Sequence, residues 1–206
     1  MRSNFFTFKR DWVGETAFVL CGGTSVTDEQ CALLAGRKVI AVNTMYRKVM
    51  DAPIMFFADM WWFREEKRES LGTWKAFKGL KVTKEVIQSE PNMCLVFWSS
   101  PTVGIATRPD SVALGHTSAQ AAMNIAVHKG ASRIVLVGVD NCRVNGRAHC
   151  HKEYPETRCL EEGWEKKDRD FSYTVEPLKK MGVEVLNASP ISTLTFWPKC
   201  DLMEVL

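Results

Sequence analysis

Two groups of residues in this 206-residue chain have the types and spacing to do chemistry. The first is a polar stretch holding Cys142, His149, Cys150, His151 and Cys159. An imidazole titrates near pH 6.5, which suits proton transfer at neutrality. His149 and His151 are therefore candidate acid–base groups, although two exposed loop histidines would look the same. The stretch contains no Cys-x-x-Cys pair, and its intervals match no standard structural zinc site, so no metal site is assigned. The second group is Gly22-Gly23-Thr24-Ser25, which closes the apolar run Ala17 to Cys21. Glycines let a backbone approach a ligand closely, and a helix opening there would offer unpaired N–H groups to an anion. The same residues also read as a tight turn with a cap. They form neither Gly-x-Gly-x-x-Gly nor a P-loop.

Four further polar signals follow apolar runs or open a helix: Asn43, Asp59, Thr117-Ser118 and Asp140. Asn43 would bind a base or ribose, or end its strand. Asp59 would hold a ribose hydroxyl, a metal or a proton, or cap the helix beginning at Trp61. Thr117 or Ser118 would cap the helix that follows and donate to a phosphate or a carboxylate, or serve as the cap alone. Trp61 and Trp62 would stack on a ligand or, as is commoner for tryptophan, pack in the core. Neither Gly-x-Ser-x-Gly nor His-Glu-x-x-His occurs, so hydrolase chemistry by those routes has no support.

The elements that must position these residues are legible as alternating runs. Strands are expected at Ala17 to Cys21, Lys38 to Val42, Ile54 to Ala58, Cys94 to Trp98, Arg133 to Val137 and Val183 to Leu186, with a weaker one within Leu80 to Gln88. Helices are expected at Val26 to Leu34 (capped by Thr24-Ser25), Trp61 to Ser70, Ser118 to His128 and Phe171 to Met181. Ser99 to Leu114 reads as loop, and residues 141–170 as a polar, lid-like excursion after Gly138-Val139-Asp140. This alternation predicts an α/β fold: a three-layer, Rossmann-like parallel sheet with helices on both faces, formed by residues 1–206 as one domain. Ligands of such sheets bind at the carboxyl ends of the strands. Gly22 to Ser25, Asn43, Asp59, Thr117-Ser118 and Asp140 would then share one rim.

Composition narrows the classes. A net charge of +3, with basic residues spread along the chain, does not point to nucleic acid. No run is apolar for long enough to span a membrane, and the N-terminal stretch has no signal-peptide core. Seven cysteines, several within strands, suit reduced thiols and a cytoplasmic location. The aromatics from Phe56 to Phe63 suggest an apolar patch through which copies would self-associate.

The succession FVLCGGTSV, VIAVNTMY, MFFADMWWF, GHTSAQAAMNIAVHKGASRIVLVGVD, a His-bearing loop and GVEVLNASPIS resembles a Rossmann-like superfamily over about Phe18 to Ser192. That superfamily includes the bacterial CMP-sialic-acid sialyltransferases and the DUF115 group of 6-hydroxymethylpterin pyrophosphokinase-like proteins. Small phage and prophage proteins called norphogenetic are similar too. The sialyltransferase resemblance implies that Gly22, Gly23, Thr24 and Ser25 hold the donor's phosphate, though the middle Asn and Pro of that family's turn are replaced here. It implies a nucleotide contact at Asn43, donor contacts at Thr117 and Ser118, and a site residue at Asp140. It also implies a lid with a catalytic histidine and assisting tyrosines, for which His149, His151 and Tyr154 stand, in a shorter lid. The implied ligand is a nucleotide or nucleotide sugar and the implied activity glycosyl transfer. The pyrophosphokinase branch implies instead Mg²⁺ and a triphosphate, with Asp59 and Asp140 as ligands. A nucleotide-binding or host-interaction protein without turnover is the third alternative.

Overall fold

Along each central strand, alternate apolar residues face opposite sides, and every one of them is buried. Ala17, Val19, Ile40, Val42, Ile54 and Phe56 enter one core, and Phe18, Leu20, Val39, Ala41, Met55 and Phe57 enter the other. A strand covered on both faces reads as a continuous apolar run, which is why these segments were visible in the sequence. The computed structural model describes residues 5–87, 90–152 and 162–206. Its main sheet has seven strands: β1 (Thr16–Leu20), β2 (Lys38–Val42), β3 (Ile54–Phe57), β4 (Leu80–Thr83), β5 (Met93–Leu95), β8 (Arg133–Val137) and β9 (Glu184–Asn187). All pair in parallel, in the order β5-β4-β3-β2-β1-β8-β9. The sheet thus grows outward from β1 in one direction and resumes on its other side with β8. The fold is the expected Rossmann-like α/β arrangement.

On one face lie α1 (Asp28–Leu33), α2 (Met60–Glu69) and α3 (Leu71–Ala76); the other carries α4 (Ser118–Lys129) and α5 (Glu162–Lys180). No helix among the described residues is long and apolar enough to cross a membrane.

Several boundaries differ from expectation. Thr27, not Thr24 or Ser25, caps α1, through a capping box with Gln30. The run Cys94 to Trp98 is two strands, because the chain crosses from β5 into β6 (Phe97–Ser99), which pairs with β7 (Ser111–Ala113) in a small second sheet. Ser99 to Leu114 is therefore not all loop. Helix α5 starts nine residues before Phe171, so the last part of the 141–170 excursion is helical. The aromatics from Phe56 to Phe63 form no apolar patch. Phe56, Phe57, Trp62 and Phe63 are buried, and the Phe57 ring lies 5.3 Å from Trp62 and 5.4 Å from Phe63. Phe57, Trp62 and Phe63 pack on one face of the sheet and Phe56 on the other, and Trp62 is a core residue rather than a ligand platform.

Helix α4 is buried nearly all round, so its polar side chains need internal partners. Asn124 meets that need by joining α4 to the second sheet. Its Oδ1 accepts from Ala106 N–H (2.7 Å) and Ala113 N–H (2.9 Å), and its Nδ2 donates to the Ala106 carbonyl (3.1 Å). Replacing Asn124 with Ala strands two buried N–H groups. This variant is expected to lose about 3 kcal/mol of stability, read as a lower urea midpoint at unchanged slope.

Candidate functional site

The reversal of strand order falls between β1 and β8, and their carboxyl ends interlock through glycines. Gly23 N–H donates to the Gly138 carbonyl at 2.9 Å. Gly138 has φ +71°, and a Cβ there would stand 2.2 Å from the Cys21 carbonyl oxygen. A Cβ on Gly23 would stand 2.5 Å from Gly138 O. Both glycines are required by the approach of one strand end to the other.

Asp140 completes the junction. It is 2% exposed. Its carboxylate accepts from Ser25 N–H (2.8 Å), Ser25 Oγ (2.5 Å) and Thr24 Oγ1 (3.1 Å). The hydroxyls of Thr24 and Ser25 are thus spent on Asp140, and neither residue is part of the cleft wall. Through these bonds they hold the turn.

Over this junction opens a cleft of about 240 Å³. Gly22, Gly23, Asn43, Thr117, Ser118 and Asp140 all border it, as the shared rim predicted. Asp59 does not. It caps α2, accepting from Trp61 N–H at 2.8 Å and Trp62 N–H at 3.4 Å. Thr117 caps α4, accepting from Ala119 N–H, and turns the positive end of that helix toward the cleft.

His149 and His151 also reach the cleft, with their rings stacked at 5.2 Å. Their loop is fastened to the glycine turn, since Cys150 N–H donates to the Gly22 carbonyl at 2.9 Å. A Cβ on Gly22 would stand 2.6 Å from His151 Nε2, so this glycine makes room for the loop. Tyr154 and Cys159 lie outside the described residues. Among the described residues, no cluster of three or more His, Cys, Asp or Glu side chains is placed to hold a metal. Cys21 lines the cleft too, but burial, reinforced by the Asp140 charge, pushes its thiol up to about 12, which leaves it no thiolate character.

The structure adds residues that the sequence reading passed over. Asn141 follows Asp140 in the left-handed conformation (φ +53°), and Asn43 at the end of β2 shares that φ. Both line the cleft, and the side-chain oxygen of each is buried without a hydrogen-bond partner. His116, Trp164 and Lys167 form another wall, with Lys167 Nζ 4.0 Å from the centre of the Trp164 ring. Positions 164, 167, 170 and 171 share one helical face. That spacing was the available signal, missed because residues 162–170 read as loop.

No family model matches the chain, and no curated protein is similar to it in sequence. A solved structure is similar in shape: the sialyltransferase CstII from Campylobacter jejuni, in complex with a substrate analogue, cytidine-5′-monophosphate. The TM-score is 0.60 at 14% identity, over 91% of this chain and 86% of that one. The chain has a sialyltransferase-like fold. Within it the junction described above depends on one carboxylate. Asp140→Asn keeps the shape but puts an amide donor where Ser25 and Thr24 also donate. It is expected to cost about 1.5–3 kcal/mol, measured as a loss of chemical-denaturation stability relative to the parent chain.

Proposed function

We propose that the cleft binds a nucleotide sugar, of the cytidine-monophosphate type in the first instance, and that the protein transfers the sugar to an acceptor hydroxyl. The observation that carries this reading is the pair of buried, unpartnered amide oxygens on Asn43 and Asn141. A buried acceptor without a donor is costly. The amino group of a pyrimidine and the hydroxyls of a ribose are donors of the kind these oxygens lack.

The other walls suit the remainder of such a ligand. The amino end of α4, with Thr117 and Ser118, together with Lys167, favours a phosphate. His149 and His151, on the loop over Gly22, stand where the departing phosphate would collect a proton, and Tyr154 belongs to the same proposed lid. The likeness to a sialyltransferase bound to cytidine monophosphate supports the ligand class. The Mg²⁺-dependent alternative would rest on Asp59 and Asp140. The first is engaged in capping α2 outside the cleft, and the second already accepts three hydrogen bonds.

At a hundredfold excess over Kd, a ligand adds about 2.7 kcal/mol, so cytidine monophosphate is expected to raise Tm by about 5–10 °C for a chain of this size. Asn43→Gly tests the carrying observation, because a residue at φ +53° accepts glycine without strain. That variant is expected to fold normally and to bind at least about tenfold more weakly, a loss of ~1.4 kcal/mol. An unchanged Kd would remove the support. Binding that requires Mg²⁺ would favour pyrophosphoryl transfer instead.

A further inference from the structure

Behind the wall formed by α5, a buried carboxylate is committed to a single histidine. Asp170 Oδ2 accepts from the His116 backbone N–H at 2.5 Å and lies 3.0 Å from His116 Nδ1. The Asp170 side chain is 2% exposed, whereas that of His116 is 48% exposed and borders the cleft. The approach is built into the chain. Gly115 has no side chain, and a Cβ there would stand 2.2 Å from Asp170 Oδ2 and 2.7 Å from Pro101 Cβ. Residues 115 and 116 are thus shaped to receive a carboxylate from a helix 54 positions away in the sequence.

The chemistry of the contact fixes the proton. An ionised carboxylate only accepts, so Nδ1 must carry the hydrogen that points at Asp170. In the neutral ring the lone pair then belongs to Nε2. A histidine with one nitrogen tied to a buried carboxylate and its body at a cleft is the arrangement of a positioned general base.

We propose that His116 takes the proton of the attacking hydroxyl in the transfer reaction, with Asp170 as its positioning residue. The proposal rests on the nucleotide-sugar reading above. In the step, the acceptor oxygen bonds to the anomeric carbon as the bond from that carbon to the phosphate oxygen breaks. The electron pair leaves with the nucleotide, and the hydroxyl proton passes to His116 Nε2 and then to solvent. Water in place of a sugar acceptor gives the free sugar and the nucleotide. The other titratable groups lining the cleft among the described residues are Cys21, Asp140, His149, His151 and Lys167.

The test uses the full chain, a CMP-activated sugar with water as acceptor, and cytidine monophosphate as the binding probe. His116→Gln is expected to keep the melting temperature and the cytidine-monophosphate shift of the parent, and to release the nucleotide at least about a hundredfold more slowly. Asp170→Asn is expected to lower kcat at unchanged KM, because a neutral amide no longer stabilises the charge that the His116 ring takes up with the proton. Should that buried substitution fail to fold, the half-exposed His116 alone carries the test. Parent-like release by His116→Gln overturns the assignment, and loss of turnover on His149→Gln or His151→Gln in its place moves the base to the loop. A parent chain that neither shifts with the nucleotide nor consumes the sugar donor overturns the nucleotide-sugar reading, and the role of His116 falls with it.

Discussion

At the carboxyl ends of β1 and β8 two backbones run close enough for Gly23 to donate to Gly138, and a single buried carboxylate, that of Asp140, ties the following turn to the same point. The remaining features of the site hang on this junction. It sets the height of the Gly22–Gly23 floor, and it places Asn141 next to Asp140. The loop carrying His149 and His151 is hung on the Gly22 carbonyl. Strand order reverses between β1 and β8, so helices depart on both sides and leave a crevice above the junction.

Polar side chains buried elsewhere serve the same end at a distance. Asn124 and Gln120 project from α4 into the second sheet and the segment joining its two strands, where they accept from or donate to main-chain groups. Through them the segment leading into Gly115 and His116 is held against a helix that itself packs on β1, β2 and β3. The wall opposite the glycine turn is therefore part of the rigid frame, even though its residues belong to short or irregular segments.

The central strands could be read in advance because burial on both faces writes an unbroken apolar run. Both ends of α4 were readable, the amino end from the side-chain cap Thr117 and the carboxyl end from the left-handed Gly130. What escaped had physical reasons. β6 and β7 are three residues each, and the bend between β5 and β6 leaves no period in the sequence. The first turns of α5 are polar on most faces, so Trp164, Lys167 and Asp170 did not stand out as a stripe. The rim itself was legible as a set, but the division of labour within it was not. Asp59 caps its own helix two residues on, a use that its position after a strand does not separate from a ligand contact, and Ser25 meets an aspartate more than a hundred residues away.

Gly22 has a consequence of its own. The space that its missing methyl group leaves is filled by the edge of the His151 ring, 2.6 Å from where that carbon would stand. The seating of the histidine loop is thus a matter of one carbon atom. Any larger residue at position 22 would act as a wedge, lifting both imidazoles while leaving their identities, the sheet and the opposite wall as they are. The floor of the cleft is in this sense the adjustment screw of its roof.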